Sequence, residues 1–511
     1  MQSLFRNPLA TLATATALAL STTACQTDLL TPTSSTQFSD QVVFDTPSRI
    51  AQQVNGLYSF VKTGNFLGGR VQVYGDIRAN DFINRSGNAV TGYSVWYQNE
   101  TETSTNDVGN CWAYGYSAIN QINVFLAGLD DNSAKYIAPT FPTTFATTAN
   151  QYRGEARLLR ALCYYTLLQF YAQPYTKDAG ASPGLPLRLK AEKSPANSAL
   201  ARSSVADVYT QILADLNFAE QNLPLSYADA FTNTTRAHRN TAIALKTRVY
   251  LSMANYASVI TEANKIVPAA APYAASSGVA NALNASIAAV FAPPQTTTES
   301  ILSFPFTTQD TPGTQNQLGY YYLPSALGGT SGEYGLNTNP SSTTASGVFI
   351  PAGIVVEPSF GANDARRTNF VAKPTAETFL KKYPTGSASN YTDNAPVIRY
   401  AEIMLNLAEA RMRSTNSVDA QALALLNAVR GRSNPTGTYT TFASVSDMAS
   451  AILTERRIEF LGEGIRHLDI LRLQQSFPAK GVAPEVKPTD GNYIWPIPIT
   501  EIANNSLMTR N

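Results

Sequence analysis

The chain is poor in histidine, cysteine and charge. Its two histidines, His238 and His467, stand far apart in the sequence, which argues against His-based metal centres and against Ser-His-Asp catalysis. No G-x-G-x-x-G, Walker A, G-x-S-x-G or H-E-x-x-H run occurs, so the common nucleotide, hydrolase and metalloprotease signatures are missing. Only 14% of the 511 residues are charged, and 37 basic against 36 acidic side chains leave a net charge of +1. No charge excess points to nucleic acid or anionic lipid as a partner. Beyond Leu20 no apolar run approaches the ~18 residues that span a bilayer. Three cysteines cannot build a disulfide framework. Cys111 and Cys163 fall in helical patterns, where small thiols are commonly buried; whether they pair is not readable from sequence.

What is present begins at the N-terminus. One cation, Arg6, precedes an uncharged run from Pro8 to Leu20, then Ser21-Thr-Thr-Ala24-Cys25. A short apolar stretch followed by small residues is a processing signal. Residues 1–24 are therefore expected to be a lipoprotein signal peptide, with Ala24 ideal at the cut and Thr22 standing where Leu is usual. Cleavage would expose Cys25 for acylation and leave the protein anchored by lipid. The competing expectation is an ordinary secretory signal with Cys25 incidental. The Thr/Ser/Pro-rich segment that follows, residues 25–37, reads as a tether.

The mature chain then divides at about residue 268. Over 38–268 the pattern is mostly helical. A first helix is expected from Ser39, with a break at Pro47, and another near Cys111 with Trp112, Tyr116, Ile119 and Ile122 on one face. A longer one spans Gln151–Tyr171 and stops before Pro174. The next is capped by Ser203 or Ser204. Residues 63–107, rich in Gly, Asn and Thr, read as long loops, where function concentrates. Helix–turn–helix units are expected at Asn240–Val267 and Val397–Val429, and a last long helix at Ser446–Leu461. Repeated hairpins with Ala at close-packing positions are the signature of TPR-like arrays. Within 269–511, residues 269–373 lose the helical signal and show strand-like pieces at Ile301–Phe306 and Gly347–Val356. The fold class expected is mostly α, a TPR-like array carrying a large irregular insertion.

Six runs in order along the chain together resemble the SusD/RagB family of Bacteroidetes surface lipoproteins. They are Cys25-Gln-Thr-Asp28-Leu-Leu with Pro32; Trp112, Tyr116, Ile119 and Asn123; Glu155-Ala-Arg-Leu-Leu-Arg160-Ala-Leu-Cys-Tyr-Tyr165 with Leu185-Pro186; Arg399-Tyr-Ala-Glu402 through Ala408-Glu-Ala410; Glu455-Arg-Arg-Ile-Glu459-Phe through Glu463-Gly464, Arg466, Asp469 and Arg472; and Trp495-Pro-Ile-Pro498 with Glu501. The resemblance implies a lipid-anchored protein on the external face of the outer membrane. Such a protein captures an oligosaccharide, or in some members a peptide, and passes it to a SusC-like TonB-dependent transporter. It implies no catalysis and no cofactor.

The residues can be weighed beside that resemblance. The paired carboxylates of the Glu455–Asp469 block could suit a glycosidase. However, the interleaved Arg456 and Arg457 favour charge pairing on a helix face, so the block reads as structural. Arg153, Glu155, Arg157 and Arg160 read likewise. Trp112 and Trp495 read as core. Trp96 is different, because it lies in a Gly/Asn-rich segment beside Tyr93 and Tyr97. Flat aromatic walls with a few placed polar groups suit sugars. The resemblance places ligand contacts in this loop and in the later irregular region. The candidates are Trp96, Tyr97, Arg78, Asn80 and Asp81, then Tyr320, Tyr321, Tyr322 and Tyr334; Arg78, Asn80 and Asp81 could instead only hold the loop. Two rivals stand beside nutrient capture: a helical envelope adaptor with no small ligand, and a glycoside hydrolase.

Overall fold

A computed structural model describes residues 42–194 and 199–511. The signal peptide, Cys25 and the tether lie outside the described residues. Helix α1 (Pro47–Val61) opens on Thr46, whose hydroxyl accepts a bond from the Arg49 amide, with Pro47 in the first turn. Proline has its φ already set for a helix start and lacks only an N–H that would have no partner there. Pro47 therefore begins the helix that the pattern starts at Ser39. After it come α2 (Arg70–Ile77), α3 (Tyr93–Tyr97), α4 (Asn110–Asp131) and α5 (Phe145–Tyr171). Then follow α6 (Val205–Asn222), α7 (Ala230–Thr235), α8 (Arg239–Ser252) and α9 (Tyr256–Ala263). Ser204 is the cap of α6, in a reciprocal box with Asp207. The short α10 (Ile287–Phe291), α11 (Leu318–Tyr322) and α12 (Ala365–Phe370) punctuate the irregular stretch. The chain closes with α13 (Tyr400–Thr415), α14 (Ala420–Ser433), α15 (Val445–Glu459), α16 (Ile465–Arg472) and α17 (Ile499–Asn504).

The long helices form one continuous array. α1 packs on α4, α4 on α5, α5 on α6, α6 on α8, α8 on α9, α9 on α13 and α13 on α14. α13 also meets α15, which leads through α16 back to α2. The fold is thus mostly α. Cys111 and Cys163 are buried and unpaired. Two expectations change in this part of the chain. The segment 63–107 is not all loop, because α2 lies within it. Nearly every α2 residue is buried, and a helix covered on all sides shows no amphipathic stripe to read. It sits so close to the turn after α15 that a Cβ on Gly75 would lie 2.3 Å from the Gly464 carbonyl oxygen.

The irregular stretch also runs further than residue 373. It ends at Arg399, because Ala395–Arg399 is a strand (β8) and α13 starts at Tyr400 rather than Val397. β8 pairs antiparallel with β2 (Ser300–Phe304). β1 (Phe82–Asn84) pairs with β3 (Tyr334–Leu336), Phe82 opposite Leu336 and Asn84 opposite Tyr334. Two smaller ladders join β4 (Ser342–Thr343) to β5 (Phe349–Ile350) and β6 (Val371–Ala372) to β7 (Phe379–Leu380). Of the expected strand at Gly347–Val356, only Phe349–Ile350 is extended in a ladder, and Ile354–Val356 is a single 3-10 turn.

The Glu455–Asp469 block is interior packing, but its partners come from elsewhere. Glu459 receives Arg432 at 2.6 Å and Arg366 and Arg399 at 3.0 Å. Glu455 takes Arg430 at 2.9 Å and also Arg366. Glu463 takes Arg399 at 2.7 Å and Lys382 at 2.9 Å. Glu299 bridges Arg399 and Arg432. None of these side chains is more than 6% exposed. Arg456 and Arg457 do not pair with the block's own glutamates. Arg456 reaches Asp469 at 2.9 Å and Arg457 reaches Asp81 at 2.5 Å. The helix face is buried, so its charges meet whatever segment packs on it rather than their own i+4 neighbours.

Candidate functional site

The β1–β3 ladder brings the two predicted loop regions together. Residues 78–98 and 315–337 become neighbours around it, so the sequence candidates do gather in one place. Most of their side chains, however, face inward. Trp96, at the end of α3, is 6% exposed, and its indole N–H donates to the Phe82 carbonyl at 2.9 Å. Lys480 lies 5.9 Å from its ring centroid. Arg78 is fully buried, donates to the Asn492 carbonyl at 2.6 Å and stacks 4.2 Å over Phe477. Asn80 donates to the Ala352 carbonyl at 2.7 Å, and its own carbonyl accepts from Asn337 at 2.8 Å. Asp81 accepts the Ile354 amide at 2.8 Å besides holding Arg457. These three polar residues fasten loops to one another, the second of the two roles the sequence left open.

The tyrosines divide in the same way. Tyr334 is buried and donates to the Thr91 carbonyl at 2.8 Å. Tyr321 is buried, donates to the Gln315 carbonyl at 3.0 Å and stacks on Tyr334 with centroids 6.3 Å apart. Tyr322 is buried between Phe82, at 5.1 Å, and Tyr383, at 6.1 Å. Burial raises the pKa of all three phenols, so none ionises near neutral pH. In this conformation Trp96, Arg78, Asn80, Asp81, Tyr321, Tyr322 and Tyr334 support the site from below and do not reach a ligand in solvent.

Two candidates remain at the surface. Tyr97 is half-buried, its ring 5.8 Å from Tyr93 and 6.4 Å from Trp96. Tyr320 is half-buried too, edge-on to Tyr321 and Tyr391, each at 6.1 Å. Its hydroxyl donates to the Glu333 carboxylate at 3.3 Å and accepts from Gln315 at 3.3 Å. Glu333 also accepts the hydroxyls of Ser331, at 2.8 Å, and Ser86. Beside it the exposed Arg85 donates to the Ser331 carbonyl and pairs with Glu377 at 2.8 Å. The result is a half-exposed aromatic ring edged by Ser86, Ser331, Gln315 and Arg85 from two loops, with the Glu333 carboxylate, 2% exposed, buried beneath them and holding their hydroxyls. Such a surface can stack on a C–H-rich sugar face and exchange hydrogen bonds with hydroxyls. Glu333, Ser86, Ser331 and Arg85 were not among the sequence candidates. The turn Asn84-Arg-Ser-Gly87 was the available signal, and Glu333 offered none.

Three carboxylates of the Glu455–Asp469 block, Glu459, Glu463 and Asp469, are held below the ordinary carboxylate range by the cations packed on them. Burial alone would raise the pKa of Glu459, but Arg432, Arg399 and Arg366 hold it well below the usual carboxylate range. Among the described residues no group of three or more His, Cys, Asp or Glu could hold a metal ion, and no helix is long and apolar enough to cross a membrane.

Two family models match the chain. One, described as SusD-like and starch-binding, associating with the outer membrane, covers residues 30–251. The other, the SusD family model, covers residues 355–511. SusD-like protein P2 of Formosa agariphila is 23% identical over 517 aligned positions, spanning 92% of each chain. A SusD superfamily protein from Bacteroides fragilis superposes with a TM-score of 0.77 at 29% identity, covering 91% of this chain and all of that one. A laminarin-binding SusD-like protein superposes with a TM-score of 0.61 at 20% identity, covering 91% of this chain and 99% of that one.

Proposed function

Because the chain belongs to the SusD/RagB family, we propose that it is a non-catalytic, nutrient-binding protein of the outer membrane. In this reading it is anchored by lipid on Cys25 and faces the cell exterior. It captures an oligosaccharide and delivers it to a SusC-like TonB-dependent transporter. The observation that carries the ligand class is the half-exposed Tyr320 ring edged by Ser86, Ser331, Gln315 and Arg85, with the buried Glu333 fixing the hydroxyls of Tyr320, Ser331 and Ser86 in place. A ring face with a hydroxyl-bonding rim matches a sugar, which presents C–H on one side and hydroxyls around its edge. Tyr97 and Tyr93 offer a second ring pair on the neighbouring loop. The seven buried candidates act as the frame that sets the height and angle of this face. The laminarin-binding relative makes laminarin the first ligand to try; a peptide is the second.

Titration calorimetry of the mature protein against laminarin, starch oligosaccharides and a peptide mixture tests the ligand class. Saturable glycan binding that Tyr320→Ala weakens about tenfold, near 1.4 kcal/mol, supports the reading. Peptide binding alone would move the protein to the peptide-capturing members. Binding that is unchanged in Tyr320→Ala would place the site elsewhere. Mild-detergent purification from the native outer membrane tests the partner. A stoichiometric TonB-dependent transporter is expected, and recovery alone would favour an envelope adaptor.

A further inference from the structure

Where α2, α5, α8 and α16 converge, beneath Pro396 and Val397 of β8, lies a partly open, narrow chamber of about 50 Å3. Its walls are largely apolar, with Leu67, Leu162, Phe170 and Ile465 among them. Polar side chains interrupt these walls, among them Gln72, Thr166, Gln169, Arg248, Glu463 and His467, each less than a tenth exposed.

Their known bonds leave particular atoms over. Gln72 donates its Nε2 to the Leu67 carbonyl at 2.8 Å and the Pro396 carbonyl at 3.3 Å, and its Oε1 has no partner. His467 Nε2 lies 2.9 Å from the Gln169 carbonyl oxygen. A carbonyl can only accept, so Nε2 carries the proton and Nδ1 is a bare acceptor; it too has no partner. Burial keeps this ring neutral, its pKa lowered to about 3. Gln169 commits Nε2 to the Tyr209 hydroxyl at 3.0 Å, a bond that does not use its Oε1. Arg248 commits Nε and Nη2 to Glu402 and Nη2 also to the Val397 carbonyl, bonds that do not use its Nη1. The walls therefore offer two acceptors with no protein partner, Gln72 Oε1 and His467 Nδ1, beside the Gln169 amide, the Glu463 carboxylate and the Arg248 guanidinium.

A guest must both donate and accept, and it must be small. The chamber is well below the ~150 Å3 that admits one benzene, so a sugar ring does not fit. An ion has no claim on it, because Arg248 is already neutralised by Glu402, and Glu463 by Arg399 and Lys382. One water takes ~10–15 Å3 of such space and needs two to four polar partners, so about three or four waters fit. We propose that this chamber is a hydration site holding about three or four waters, which bridge Gln72, Gln169, Arg248 and His467. The cluster would join α2 near the start of the array, α5 and α8 in its middle and α16 near its end.

High-resolution crystallography of the mature protein, with oxygen-17 relaxation dispersion in solution, tests this. About three or four ordered waters are expected, at least one of them within ~2.7–3.2 Å of Gln72 Oε1 or His467 Nδ1, with long-lived waters seen by dispersion. A chamber without water density that takes up xenon under pressure, as dry apolar cavities do, would overturn the assignment. So would one filled by a rotated side chain. Gln169→Met keeps the side-chain length and removes Oε1. It is expected to lose at least one of the waters, and an unchanged cluster would count against the bridge. The wild-type measurement stands even if this variant fails to fold.

Discussion

The helical array and the loop region around β1–β3 bury polar side chains in opposite ways. In the array, side chains meet side chains: Glu459 collects Arg366, Arg399 and Arg432, and Glu409 takes both Nη groups of Arg472. In the loops, side chains meet backbone. Asn80 bonds the Ala352 carbonyl, Asn337 the Asn80 carbonyl, Asp81 the Ile354 amide and Arg78 the Asn492 carbonyl. A helix satisfies its own backbone, so its buried charges are left to pair with one another. An irregular segment leaves amides and carbonyls over, and buried groups of this kind must find partners. The difference explains why the loop candidates face inward: in an irregular region the polar side chains become the scaffold.

The contrast can be broken hardest from the array side. Glu459→Ala strands three buried guanidinium groups around a missing partner, and a loss of about 3–5 kcal/mol is expected, read from urea unfolding. A loss under ~1 kcal/mol would mean that Glu299, Glu455 and Glu463 suffice. On the loop side, Trp96→Ala removes a large buried ring and its bond to Phe82, and should cost about 3–4 kcal/mol. Ligand binding measured well below the variant's melting temperature should be weakened only through loosening of the loop. A variant that is fully stable but blind to glycan would instead make Trp96 a direct contact.

Acid should separate the contributions by pH. Asp469 is lowered to about 2, because Arg456 and Arg472 outweigh its burial, and Glu463 and Glu409 are lowered too. Each binds fewer protons folded than unfolded. Their stabilisation is therefore full above an unfolded value near 4 and is lost as pH falls from there towards about 2. His467 and His238, lowered by burial to about 3 and about 4, act earlier. Unfolded imidazole takes its proton near pH ~6.5, so stability already falls below that pH. Asp393, raised to about 6 by burial, offsets part of this fall between about 6 and 4, and the buried Asp76, Glu100, Asp107 and Glu155, raised likewise, act in the same direction. Unfolding free energy followed from pH 8 to 3 should decline by a few kcal/mol, and His238→Ala or His467→Phe should flatten the upper part. A profile between pH 7 and 5 that neither histidine substitution changes would contradict the buried neutral histidines. Smallest of all is Tyr320→Ala, expected to change stability by less than ~0.5 kcal/mol while reducing glycan affinity. A large loss of stability there would make Tyr320 a frame residue like Tyr321.

Much of the array was legible. α5 begins at Phe145 rather than Gln151, and its second half is buried on every face, so its Leu158, Leu162, Tyr165 and Leu168 stripe is only part of what packs. The end of α5 at Tyr171 and the Ser204 cap depend on local signals, and both stand as read. α2 was not, because a helix buried all round carries no stripe. The direction of the loop side chains was not legible either. Gly and Asn mark a loop but do not say which way its neighbours turn. Three successive tyrosines, Tyr320, Tyr321 and Tyr322, sit in one turn of α11, where each step rotates the side chain by about 100°. One is therefore left half out while two point in. Glu333 gave no signal, since its role depends on Ser86, which is brought to it only by the β1–β3 pairing.

Trp495 sets a timetable for the fold. Its indole sits fully buried 5.5 Å from Tyr74, 4.5 Å from Phe170 and 5.6 Å from Tyr171, and its amide donates to the Phe170 carbonyl at 2.7 Å. This ring follows Tyr74 by 421 residues and Phe170 by 325. At ~5–20 residues per second, Tyr74 and the residues around it wait roughly 20–80 s for Trp495. Until Trp495 has been made, the rings of Tyr74, Phe170 and Tyr171 lack the indole that joins them.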